Sequence, residues 1–376
     1  MTREDPAAVV DASFVMPVLW GGGRWALARL GDCPGGQPGS AHSVMTQQNA
    51  LVWEGGDIVA VRRVPMPESR SGWAAVDVAY AGICGSDLHI AAGEHDRAQP
   101  GIVLGHEFVG HLAEPYEALP EGQPVFVSPL VHCGICEACL AGRTNVCRRL
   151  TLVGIDYPGG IAPRAVVPGY GIYPLAADVD LVAAALIEPL AVAVRAVRRS
   201  RLSVGDRAHV IGAGPVGCLV GLISAAAGAT VTMSEPSPLR RTFAADLGFT
   251  IVENQEELGD GADVVFDASG HNSVAGKLLR WLRAAGTVVI VGAYRPGLHG
   301  LDLLSVMFAE TTIIGTRVYQ RSDILAAIEL VTTGRLDTHR LISKIFPLDE
   351  AVTAVETLRR GEGMKMLIEP GQAPAA

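Results

Sequence analysis

Apolar and polar positions follow two different rhythms along this chain. Between residues 45 and about 185, short β-like runs at 50–53, 58–61 and 74–81 are separated by turns rich in Pro and Gly, the pattern of a compact β-barrel-like unit. From about 190, buried strands alternate with helical stretches of ten or so residues. Strands are expected at 208–211, 230–234, 264–267 and 287–291, and helices at 215–227, 238–247 and 273–284. That alternation predicts an α/β fold with a parallel, doubly wound sheet. Residues 322–334 and 349–360 read as amphipathic helices and 366–368 as a last strand.

Residues 1–44 follow neither rhythm. They carry Gly21 to Gly23, Pro34-Gly35-Gly36 and Pro38-Gly39 without a sustained period, and read as a flexible N-terminal extension. Order is expected from Met45, which would also serve as an alternative start of the chain. The division expected is 1–44 extension, 45–189 catalytic domain completed by 320–376, and 190–319 nucleotide-binding domain.

Composition narrows the class. Of 376 residues 49% are hydrophobic and 18% charged, enough apolar material for a full core. The net charge of −9 is spread without long runs, and nothing forms the positive stripe that nucleic acid requires. Arg3 is followed at once by Glu4 and Asp5, and Pro17 interrupts the apolar stretch near Phe14, so no signal peptide is read. The apolar segment 209–233 is broken by Gly212, Gly214, Pro215, Gly217 and Gly228; it reads as strand, turn, helix and strand rather than a membrane span. Seven cysteines, four of them crowded into fifteen residues, point to metal binding in a reducing compartment, so a cytoplasmic location is expected.

Gly212-Ala213-Gly214-Pro215-Val216-Gly217 fits G-x-G-x-x-G between a strand and a helix. The glycines allow a tight turn, close approach to a pyrophosphate and helix–strand packing, while the helix N-terminus favours negative charge. Glu235 ends the next strand, where an acid accepts from ribose hydroxyls and disfavours a 2′-phosphate; NAD is therefore read over NADP. Arg240 and Arg241 lie close by and offer the opposite reading. Cys133, Cys136, Cys139 and Cys147 supply four soft ligands in a short lobe, a closed shell suited to structural zinc. A second, dispersed set comprises Cys84 in Gly-Ile-Cys-Gly-Ser-Asp-Leu-His, His106-Glu107 after Gly105, and Glu188 in Ile-Glu-Pro-Leu. A catalytic zinc takes about three such ligands and an open position. Singly, each of these has a plainer reading as core, surface or loop.

In this order the motifs resemble the medium-chain dehydrogenase/reductase family, in the zinc-containing polyol branch with sorbitol, threonine and butanediol dehydrogenases. The resemblance spans about 45–370 and implies a GroES-like β-barrel catalytic domain beside a Rossmann domain. By this likeness Cys84 and His106 bind the catalytic zinc, and Glu107 and Glu188 share the carboxylate role, one directly and one through water. Asp87 would orient His106, and Ser86 and His89 match a proton relay, although an exposed strand-end histidine is the plainer reading of His89. Glu188 stands where alcohol dehydrogenases proper carry cysteine. Arg195 and Pro163-Arg164 depart from the family pattern near the cleft, which leaves the substrate open. The implied protein holds two zinc ions and NAD, oxidises a secondary alcohol of polyol, sugar-like or cyclitol type, and forms a homodimer or homotetramer. Reduction of a carbonyl with NADP, or an inactive nucleotide-binding relative, are the alternatives.

Overall fold

Alternating burial along the early strands turns one face of each onto a shared core, and this closes the first part of the molecule. The computed structural model describes residues 46–294 and 300–373; the expected extension at 1–44 lies outside the described residues. Strand β1 (Gln47–Gly55) pairs antiparallel with β2 (Ile58–Pro65) and with the short β4 (Ile102–Val103). A larger sheet joins β3 (Trp73–Gly82), β5 (Glu107–Leu112), β6 (Pro124–Val127), β9 (Arg164–Pro168) and β10 (Ile172–Pro174). Leu51, Trp53, Val76, Phe108, Val125 and Ile161 meet in its core. Helix α1 (Gly85–Ala91) follows β3 directly. Off this sheet, β7 (Leu130–Val131) and β8 (Thr151–Leu152) pair with one another, and the single-turn helix α2 (Glu137–Leu140) lies between them in the chain.

After α3 (Leu181–Ala184) and the long α4 (Ile187–Ser200), the second rhythm begins. Strands β11 (Arg207–Ile211), β12 (Thr230–Ser234), β13 (Thr250–Val252), β14 (Ala262–Asp267), β15 (Leu282–Ile290) and β16 (Thr312–Gly315) form one six-stranded parallel sheet. Its order, β13-β12-β11-β14-β15-β16, reverses direction between β11 and β14. Ligands of such sheets bind at that reversal, outside the carboxyl ends of the strands. Helices α5 (Pro215–Ala226), α6 (Pro238–Asp246), α7 (Asn272–Ala275), α8 (Leu303–Phe308) and α9 (Arg321–Thr332) belong to this part of the chain, and α4 packs on α5 and α9. The chain then returns: β17 (Ile342–Pro347) and β18 (Lys365–Glu369), with α10 (Ala351–Arg359) between them in the chain, join the larger sheet, β18 lying between β3 and β17.

Most expected elements match to within a few residues, and 209–233 is the strand, turn, helix and strand anticipated. Among the described residues no helix is long and apolar enough to cross a membrane. The helix expected at 273–284 is a correction. Only Asn272–Ala275 is α-helical; a 3₁₀ turn covers Leu278–Trp281, and Leu282 already opens β15 by pairing with Ala262. The apolar periodicity of Val274, Leu278 and Trp281 is real, but a turn and a strand end bury it beneath the sheet instead.

Candidate active site

The sequence Gly82-Ile83-Cys84-Gly85 ends β3 and starts α1, with Cys84 as the residue capping the helix in extended geometry. Asp87, fully buried, stands in the first turn and accepts the Cys84 amide at 2.8 Å. Its other oxygen accepts the Gly105 amide at 3.3 Å and lies 3.7 Å from His106 Nδ1. One carboxylate therefore binds the amides of two residues that are 21 apart in sequence. Nδ1 of the imidazole faces this carboxylate at a distance longer than a hydrogen bond, while Nε2 faces the other way, 3.3 Å from Ser86 Oγ. Such a partner on the far nitrogen is what fixes a ligating histidine.

Cys84, His106 and Glu107 each bring a donor atom into one group whose members lie within 4.8 Å of one another. Sulfur, nitrogen and oxygen in that number suit zinc with one position left open. Burial opposes charge on His106, yet Asp87 and the Cys84 sulfur outweigh it and raise the imidazole well above its ordinary value. The site is thus rich in negative charge and suited to a cation. Glu188, in the first turn of α4, is not a member of that close group. It is nevertheless near: burial first, and then the Glu107 carboxylate, push it up to about 7. Facing Glu188 and Ser128 is the Tyr319 hydroxyl, fully buried and without a well-formed hydrogen bond among the described residues.

Ser86 and His89 lie three apart on α1 and so share one face. Ser86 reaches His106, whereas the His89 side chain is 64% exposed and pairs with Glu94 at 3.2 Å. The order from interior to solvent is the one a relay needs. Two residues of this neighbourhood escaped sequence reasoning, Tyr319 and Lys365. Lys365 begins β18 and is buried against Glu107. Its signal was a lone lysine heading the apolar run Met366-Leu367-Ile368. The departures from the family pattern are both engaged: Arg164 pairs with Asp77 at 2.7 Å, and Arg195 donates to Gln320 and lies 3.7 Å from Asp323.

The four lobe cysteines also converge. Their sulfurs stand 3.5, 3.9 and 4.0 Å apart in the closest pairs, and none is disulfide-bonded. Zinc–sulfur bonds of about 2.3 Å in a tetrahedron give edges of about 3.8 Å, so the spacing fits one ion. Backbone amides of Arg148 and Cys139 lower Cys136 to about 6, while loss of water and then the Cys136 sulfur push Cys139 up to about 12.

At the sheet reversal, Gly212 turns the chain with φ of +96°, a conformation other residues rarely adopt. A side chain at Gly217 would collide with the Gly212 carbonyl. Gly214 caps α5 and Pro215 takes its first position, so the amides of Val216 and Gly217 have no partner within the helix and suit a phosphate. A cleft of about 460 Å³ lies here, bounded by Gly212, Gly214, Glu235, Arg240 and Ser269. The Glu235 carboxylate, nearly buried, accepts the amides of Ala213 at 2.8 Å and Ser237 at 3.0 Å. Arg241 is bound to the carbonyls of Glu235 and Pro236 and to Glu253. Arg240 lines the cleft, and its buried Nε has no hydrogen-bond partner among the described residues.

Comparison with known proteins shows the family. Residues 70–177 match the alcohol dehydrogenase GroES-like domain, and residues 215–333 the zinc-binding dehydrogenase domain. The chain is 37% identical over 315 residues to 2-dehydro-3-deoxy-L-galactonate 5-dehydrogenase of Pseudoalteromonas atlantica, covering 80% of this chain and 92% of that one. It is 32% identical over 331 residues to L-galactonate-5-dehydrogenase of Escherichia coli, covering 84% and 94%. Among solved structures, a protein described as a zinc-binding dehydrogenase from Sinorhizobium meliloti 1021, bound to NADP, superposes with a TM-score of 0.81 at 29% identity. That match covers 86% of this chain and all of the other.

Proposed function

Since the chain belongs to the zinc-binding alcohol dehydrogenase family of GroES-like and Rossmann domains, we propose that it transfers hydride between NAD and the secondary hydroxyl of a polyol or sugar acid. The observation that carries this reading is the close group of Cys84, His106 and Glu107. Zinc held there would act as a Lewis acid on the hydroxyl, and the nicotinamide would take the hydride. The residues do the rest. Asp87 keeps Cys84 and His106 in register. Glu107 would be the carboxylate that holds the metal, and Glu188 is a second, buried acid able to hold a proton near neutrality. Ser86, beside His106, would take the hydroxyl proton, and the exposed His89 would hand it to water. The four-cysteine lobe would hold a second, structural zinc.

The sugar-acid suggestion draws on the two relatives that act on galactonates. A panel of hexonates, polyols and the matching ketones, offered with NAD and NADP and followed at the reduced-cofactor absorbance band, tests it. No turnover with any member, from protein carrying two metals per chain, would reject the reading.

We read NAD over NADP because Glu235, after β12, lines the cleft, where an acid would accept from the adenosine ribose hydroxyls. NADP is the second reading, favoured by Arg240 with its unpartnered Nε and by the NADP-bound relative. Glu235→Ala is expected to shift the NAD/NADP ratio of kcat/KM towards NADP by about tenfold or more, a change of about 1.4 kcal/mol. An unchanged ratio would count against the ribose role.

A homodimer is also proposed. Strand β16 is an edge of the parallel sheet, with Ile313 exposed; Leu303, Leu304, Met307 and Phe308 of α8 stand 59–76% exposed just before it in the chain. An open edge beside an apolar surface suits antiparallel pairing with a second copy about a twofold axis. Light scattering should report a dimer, and Ile313→Lys with Phe308→Glu should give a monomer. Unchanged mass in that double variant would place any subunit contact elsewhere.

A further inference from the structure

Glu107 is gripped at one oxygen. Lys365 Nζ donates to Oε2 at 2.5 Å and to the Ile83 carbonyl at 3.1 Å, and both side chains are nearly inaccessible, at 3% and 1%. Ile83 precedes Cys84, so a single ammonium binds one proposed ligand and the residue adjoining another. Gly82 forms the opposite wall. It pairs with Glu107 across β3 and β5, and a Cβ there would stand 2.5 Å from Oε2. The backbone of β18 sets the lysine in place, because the Ile83 amide donates to the Met366 carbonyl and Leu367 pairs with Gly82. Charge supports the same arrangement. The Lys365 ammonium meets the Glu107 carboxylate in a buried space, where a divalent ion beside Cys84 and His106 would be the second cation.

We propose that Lys365, with Gly82 as its backstop, is a positioning residue that clamps Oε2 of Glu107 and reserves Oε1 for the metal beside Cys84 and His106. This inference rests on the zinc reading above. It assigns Lys365 no contact with substrate; the lysine acts through Glu107 alone.

The test uses the full chain, loaded with zinc or with cobalt(II) as a visible probe. Lys365→Met is expected to keep the lobe metal, to bind the second metal at least tenfold more weakly, and to alter the cobalt absorption bands. Lys365→Arg should restore most of the affinity. Because Lys365→Met leaves a buried carboxylate without its counter-charge and can fail to fold for that reason, E107Q and K365M/E107Q provide an independent comparison. If Lys365 works only through Glu107, those two variants bind the second metal equally. A further loss in the double variant overturns the inference, as does a Lys365→Met protein with wild-type affinity and spectrum. Wild-type protein that holds metal only on its cysteine lobe would instead defeat the zinc reading itself.

Discussion

Cys84→Ala is expected to lower kcat/KM by at least about a thousand-fold, a loss of about 4 kcal/mol of transition-state stabilisation, while NADH still binds. The size follows from what is removed. Cys84 contributes the only sulfur of the close donor group, and two remaining ligands do not hold zinc in an open site against solvent. The fold should tolerate the change. The residue 84 amide still donates to Asp87, so the start of α1 and its link to Gly105 survive. The cofactor cleft shares no residue with this segment. Metal content should fall from two to one per chain, and NADH fluorescence titration should give a dissociation constant close to that of the wild type. Full turnover in the variant would dismiss the metal assignment.

Cys147→Ala should have the largest effect on stability. Cys147 is buried, and its sulfur accepts the amides of Cys133 and Arg149 as well as facing the other thiols. The lobe has little else to hold it. Its secondary structure is one helical turn, a three-residue 3₁₀ helix and two-residue strands at either end, and Ile135 and Leu140 are 70% and 76% exposed. With so small a core, metal binding supplies the folding free energy. The expected result is a melting temperature lower by about 5 °C or more, with the first proteolytic cut falling within 132–150. Catalysis should weaken too. Asn145 in the lobe donates to the Arg317 carbonyl and meets Gln320, which flank the Tyr319 facing Glu188. A variant as stable and as protease-resistant as the wild type would refute a structural ion.

Local signals were readable from sequence and distant ones were not. The glycine fingerprint and the four cysteines are each confined to fewer than twenty residues, so spacing alone specifies their geometry. Cys84, His106 and Glu188 are spread over about a hundred residues, and only resemblance to a family joined them. Lys365 lies 258 residues beyond Glu107 and was missed, since no periodicity links a lysine to a carboxylate on another strand. Tyr319 was missed for the same reason. Local reading failed at 273–284, where helical spacing of apolar residues was satisfied by a turn and by β15 pairing with β14. The environment of Glu235 was only half readable. Sequence placed it at the strand end, whereas the two backbone amides that hold its carboxylate belong to a neighbouring loop and to its own turn.

The position of β18 bears on how the molecule is made. This strand follows the whole parallel sheet in the chain, yet it lies inside its own sheet, between β3 and β17, and brings the lysine that pairs with Glu107. During synthesis the nucleotide-binding sheet can be finished while the barrel still waits for its inner strand. A nascent chain stalled before residue 365 would therefore expose the edge of β3 and a carboxylate lacking its counter-ion, a state suited to capture by chaperones.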